Sequence, residues 1–127
     1  MKKKQVIEEI ETYLRDTLSA TPSDSRQEAE EIEKLLTMYR FLPVREFTDT
    51  DMICPSTLVE LEFNGSRAFY FIVPRGGGLV TRIDGQPVQV ITPQSPIGEA
   101  LLGRRVGDVV RVSVRESFRE YRILSIV

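Results

Sequence analysis

The stretch Ser23-Asp24-Ser25-Arg26-Gln27-Glu28-Ala29-Glu30-Glu31 gathers the carboxylates best placed to do chemistry. Hard divalent cations want several such oxygens at once. By position alone, Asp24 reads as a first-turn carboxylate facing the positive end of a helix dipole. Other reactive types are scarce. The chain has no histidine and one cysteine, Cys54. A Ser-His-Asp or Cys-His machine, a Cys/His zinc site and a disulfide framework are therefore excluded within one chain. Pro74-Arg75-Gly76-Gly77-Gly78-Leu79 sets a glycine run beside a cation but lacks the Gly-Lys-Ser/Thr ending of a phosphate loop, so it reads as a flexible turn. Arg104, Arg105, Arg111, Arg115, Arg119 and Arg122 give the last quarter a basic cast. They fit a solvated face balanced by nearby acids, or a patch that meets an acidic protein surface.

The elements that must hold these residues follow from periodicity. Val6, Ile10, Leu14 and Leu18 form one helical stripe; Ala29, Ile32, Leu36 and Tyr39 form another. Pro22 fits a first helical position, with Thr21 or Ser23 as the cap. So short a connection predicts an antiparallel helical hairpin, ~25 Å long. Beyond Ser56 the period becomes two. Thr57, Val59, Leu61 and Phe63 share one strand face, and Asn64-Gly65 is a strong hairpin turn. Further strands are expected over "RAFYFIV", "LVTRI", "PVQVI", "VVRVSV" and "EYRILSIV", with Asp84-Gly85 as another turn. The expectation is an α+β fold: a short helical hairpin over residues 1–45, then an antiparallel sheet with one short helix over 46–127.

With 41% hydrophobic and 28% charged residues and a formal charge of −2, the composition is that of a globular protein and argues against a general nucleic-acid binder. No apolar run approaches the ~20 residues of a membrane span. The opening "MKKK" lacks the apolar stretch of a secretory signal, which predicts a cytoplasmic protein. No cofactor is expected.

"ITPQSPIGEALLGRRVGD", residues 91–108, joins two strands through heavy punctuation. Ser95 caps a helix that begins at Pro96; Ile97, Leu101 and either Ala100 or Leu102 face inward; Gly98 allows a close approach; Gly103 ends the helix. Ser95-Pro96-Ile97-Gly98, Ala100-Leu101-Leu102-Gly103, Val106-Gly107-Asp108 and the closing Tyr-x-Ile-Leu-x-Ile occur in one order. In this the chain resembles the C-terminal domain of bacterial Gre transcript-cleavage factors and the related Rnk proteins, well from Ser56 to Val127 and in outline before that. The resemblance implies an FKBP-like fold that docks on RNA polymerase at the rim of the secondary channel. The contact would involve Ser95, Pro96, Ile97 and Gly98. No membrane partner and no direct sequence-specific contact with nucleic acid are expected, and the chain is expected to be a monomer or weak dimer. Gre factors carry a Gly-Asp-Leu-x-Glu-Asn-Ala-Glu-Tyr hairpin tip whose Asp and first Glu hold magnesium in the polymerase. Here Asp24, Ala29 and Glu30 fall in register, Gln27 stands in place of that Glu, and Glu28 is one residue off. A neutral amide supplies no second charge, and one helical step turns a side chain by ~100°. The expected function is therefore Rnk-like, without cleavage activity; the alternative is a Gre-type factor that lends Asp24 and Glu28 or Glu30. The lack of tryptophan argues against an FKBP-type prolyl isomerase.

Overall fold

In the computed structural model, which describes residues 1–127 apart from the side chain of Val114, the two apolar stripes become α1 (Lys3–Ala20) and α2 (Arg26–Phe41). The Gln5 side chain closes the start of α1 by accepting from the Lys2 N–H at 3.1 Å. α2 begins four residues later than Pro22 suggests, with Ser25 as its N-cap. The Ser25 N–H instead bonds the Pro22 carbonyl at 3.0 Å, closing a turn over the residues expected to open the helix. A proline is as well suited to a tight turn as to a first helical position.

Six strands follow: β1 (Leu58–Phe63), β2 (Ser66–Ile72), β3 (Val80–Ile83), β4 (Gln86–Ile91), β5 (Val109–Val114) and β6 (Ser117–Ile126), with α3 (Pro96–Leu101) between β4 and β5. Their order in the sheet is β3-β4-β2-β1-β6-β5. Asn64-Gly65 and Asp84-Gly85 both carry positive φ, as type I′ hairpin turns require. The α+β class holds, but one pairing departs from an all-antiparallel sheet: β4 runs parallel to β2, so the sheet is mixed. The β3–β4 hairpin joins β2 as a unit, and its more apolar strand takes the inner place. Val88 and Val90 of β4 are buried, while Val80 and Arg82 of β3 are exposed. With β4 inside, the connection from β2 through β3 leaves β4 parallel to β2.

Strand alternation divides the core between the two sheet faces. On one face Val59, Leu61, Tyr70, Ile72, Val110, Val112 and Ile123 pack with Leu101 of α3 and with Phe47 and Ile53 of the segment after α2. On the other, Leu58, Phe71, Val73, Ile83, Val88 and Val90 pack with Val6, Ile10 and Leu14 of α1 and Tyr39 of α2. The hairpin is thus one layer of the core along much of its length. Leu14 is the last buried residue of α1, and the six residues from there to Ala20 extend only ~9 Å at 1.5 Å per residue.

Candidate functional site

The Ser95–Gly98 corner is set by hydrogen bonds within a few residues. The Ser95 Oγ accepts from the Gly98 N–H at 3.1 Å and donates to the Thr92 carbonyl at 2.7 Å. That is the side-chain cap the sequence predicts, and Pro96 occupies the first turn of α3. The tight approach at Gly98 is to the loop before the helix: an added Cβ would lie 2.0 Å from the Thr92 carbonyl oxygen. The far end of α3 is tied to the segment after α2. Gly103 N–H donates to the Ile53 carbonyl at 2.9 Å, and Ile53 N–H to the Arg104 carbonyl at 2.8 Å. Asp108 then closes the following turn, its Oδ2 accepting from the Arg105 N–H at 2.9 Å. Hydrogen bonds thus tie the corner at both ends.

Its outward surface differs from a simple reading of four consecutive residues. Pro96 is exposed; Ser95 and Ile97 are half-buried; Gly98 and Leu101 are buried. Ile97 and Ala100 pack into the core cluster that includes Tyr70 and Tyr121. The solvent face of the helix is Pro96, Glu99 and Leu102, one residue per turn. The sequence left Leu102 open to either side of the helix; Glu99 was legible as the i+3 neighbour of Pro96. The glycine loop was not. A shallow groove of about 360 Å³ runs beside Ser95, lined by Gly77, Gly78, Val80, Gln89 and Thr92. A Cβ on Gly77 would meet the Thr92 side chain at 3.1 Å, so the loop lies directly against the corner.

The hairpin tip gathers no comparable site. Asp24, Glu28 and Glu30 are all exposed. Because α2 starts at Arg26, Asp24 precedes the cap rather than occupying the first turn, and Glu28 is the first-turn acid. Among the described residues, no group of three or more His, Cys, Asp and Glu side chains converges as a metal site. Gln27, beside them, is uncharged and exposed.

Four other side chains take on roles that only the folded chain reveals. Lys3 is buried, donates to the Arg45 carbonyl and lies 4.3 Å from the Phe47 ring centroid. Burial pushes its ammonium pKa down, opposed by Glu46 and Cys54. Tyr39 is buried among α1, α2 and the sheet, and its hydroxyl has no partner among the described residues. Tyr70 is pushed up to about 12, first by burial and then by the neighbouring Tyr121. The Cys54 N–H bonds Thr57 Oγ1 at 3.2 Å, and its side chain packs on the core. The basic run of lysines hid Lys3; only tertiary packing distinguishes it from Lys2 and Lys4.

The molecule is thus a helical hairpin on one face of a mixed six-stranded sheet, with a serine-capped, proline-first helix against the other. The chain belongs to the GreA/GreB family: residues 49–127 match the family model described as "Transcription elongation factor, GreA/GreB, C-term". It is 31% identical over 110 residues to the transcription elongation factor GreA of Alkaliphilus oremlandii, covering 82% of this chain and 64% of that protein. It is 26% identical over 106 residues to GreA of Lachnoclostridium phytofermentans, covering 81% of this chain and 61% of the relative. The chain thus spans less than two thirds of the length of these relatives. Among solved structures it resembles one titled "Structure of the transcription factor Gfh1", with a TM-score of 0.52 and 25% identity, covering 98% of this chain and 85% of that one. Gfh1 of Thermus aquaticus shares the fold, with a TM-score of 0.51 at 23% identity over 97% of this chain and 92% of the other.

Proposed function

We propose that this chain is an RNA polymerase-binding transcription regulator that docks near the secondary channel through the Ser95–Gly98 corner and, in the manner of Rnk, has no cleavage activity of its own. On this reading it is not an enzyme, and it works in the cytoplasm wherever polymerase does. Its effect is occupancy: it competes with longer channel factors or alters the entry of small molecules. The observation that supports this most is the burial of Val6, Ile10 and Leu14 against the sheet. A hairpin so bound has little free length to offer beyond its own domain. Gln27 supports it independently, since the resembling motif has a glutamate there.

The rival reading, a Gre-type cleavage factor lending Asp24 with Glu28 or Glu30, is favoured by the 31% identity to a GreA protein. Cleavage of RNA in a backtracked polymerase complex separates the two. The unaltered protein is expected to leave the RNA intact and to inhibit an added Gre factor. Gln27→Glu is expected not to rescue cleavage, because position fails before charge does: an error of ~1 Å can cost ~100-fold in rate. Metal-dependent cleavage by the unaltered protein would establish the rival.

A further inference from the structure

The β5–β6 pair forms a ribbon that outruns the rest of the sheet. β1 follows β6 only as far as Arg122, opposite Glu62, whereas β5 continues to pair with it to Ser117. Every residue from Arg115 to Glu120 is exposed, and Phe118 shows 63% of its surface to solvent. The Arg111 guanidinium stacks 4.6 Å from the Phe118 ring centroid and lies 3.9 Å from Glu120. Ring and guanidinium are therefore held together at the surface. A large exposed aromatic beside arginine is the composition of an interface anchor.

The same molecule carries a surface of matching chemistry. Between α2 and the start of the glycine loop lies a shallow groove of about 580 Å³ lined by Glu30, Glu33, Lys34, Met38, Pro74 and Arg75. Its lining is mainly apolar, and its charged side chains are of both signs. The α2 side belongs to a run of five acids, Asp24, Glu28, Glu30, Glu31 and Glu33, with Arg26 the only cation between them. The ribbon is the counterpart: Phe118 at the centre, Arg111 and Arg115 to match Glu30 and Glu33, and Glu116 and Glu120 to match Lys34 and Arg75 in sign. Glu116 and Glu120 also disfavour a phosphate backbone, which would meet both signs along one strand pair. We infer that the ribbon of one copy docks in the α2 groove of a second copy, the reciprocal contact closing a two-fold dimer.

Sedimentation velocity over a dilution series tests this. The unaltered protein is expected to associate at low ionic strength and to dissociate as salt is added, since exposed pairs are screened. Phe118→Asp is expected to weaken association by about tenfold or more, as loss of an aromatic anchor does. Glu30→Arg with Glu33→Arg in one chain, or Arg111→Glu with Arg115→Glu in another, should each leave a monomer with an unchanged melting temperature. Mixing those two variants should restore a dimer, because both reciprocal contacts are then re-paired. A protein that stays monomeric at every concentration overturns the inference. So does association indifferent to both reversals, or a mixture that fails to pair. If Phe118→Asp instead abolishes capture of a single-stranded RNA oligonucleotide by a monomeric chain, the ribbon is a nucleic-acid surface and the dimer is wrong.

Discussion

Lys3 Nζ lies 4.3 Å from the centroid of the Phe47 ring, and the same ammonium donates to the Arg45 carbonyl. One side chain at the start of α1 thus fastens the hairpin to the segment that leads into the sheet. Burial lowers its pKa from 10.5, so the folded chain binds this proton more weakly than the unfolded chain does. Between the lowered value and 10.5 the unfolded state holds more protons, and stability from this group rises with pH. Urea midpoints of the unaltered protein and of Lys3→Met, compared from neutral to alkaline pH, should shift in favour of the unaltered protein. A difference that stays flat would mean Lys3 titrates as a solvated amine.

Gly98→Ala should be costly out of proportion to one methyl group. The new Cβ would lie 2.0 Å from the Thr92 carbonyl and 2.8 Å from Ser95 Oγ, so the capped turn must open. A loss of at least ~1–3 kcal/mol is expected, as for overpacked sites. Ser95→Ala, which removes only the cap, should cost ~1 kcal/mol. Chemical denaturation of the two variants should rank them in that order.

Tyr39→Phe should run the other way. The hydroxyl is buried without a partner among the described residues, and its removal relieves a desolvation cost. An increase of ~1 kcal/mol in unfolding free energy is expected. A decrease would mean that a buried water completes the site.

Pro96→Asp and Leu101→Ala should separate docking from folding. Pro96 is exposed at the start of α3, and its replacement should weaken polymerase binding with little change in melting temperature. Leu101 is fully buried, and truncating it should cost ~2–5 kcal/mol. Ser95 is unsuitable for such a docking test because its hydroxyl holds the corner together. A Pro96→Asp protein that binds polymerase normally would move the contact elsewhere.

Local chemistry was the legible part of this fold. Asn64-Gly65 and Asp84-Gly85 announced their turns because positive φ selects those residues, and Ser95-Pro96 announced a helix start because capping is a short-range bond. Arg115, with φ of 57°, turns the β5–β6 ribbon without any such signal. The parallel β2–β4 pairing was hidden because periodicity shows which face of a strand is buried, not which neighbour it takes. The same limit applied to α1. Val6, Ile10 and Leu14 declared a buried stripe, but a stripe is equally satisfied by a partner helix or by a sheet, and here α2 and the sheet share it. The glycine loop's place beside Ser95 rests on contacts far apart in sequence, so neither segment alone could reveal it.

The position of β6 between β1 and β5 has a consequence for how the protein is made. On the ribosome, β1, β2 and the β3–β4 hairpin emerge first and can pair with one another. β1 then waits with one edge bare until the final strand arrives, and only then do Leu58 and Val127 exchange their two backbone hydrogen bonds, at 3.1 and 2.9 Å. During that interval the nascent chain presents an open strand edge of the kind that recruits foreign strands. Translation that stalls after β5 should therefore yield a product prone to aggregate.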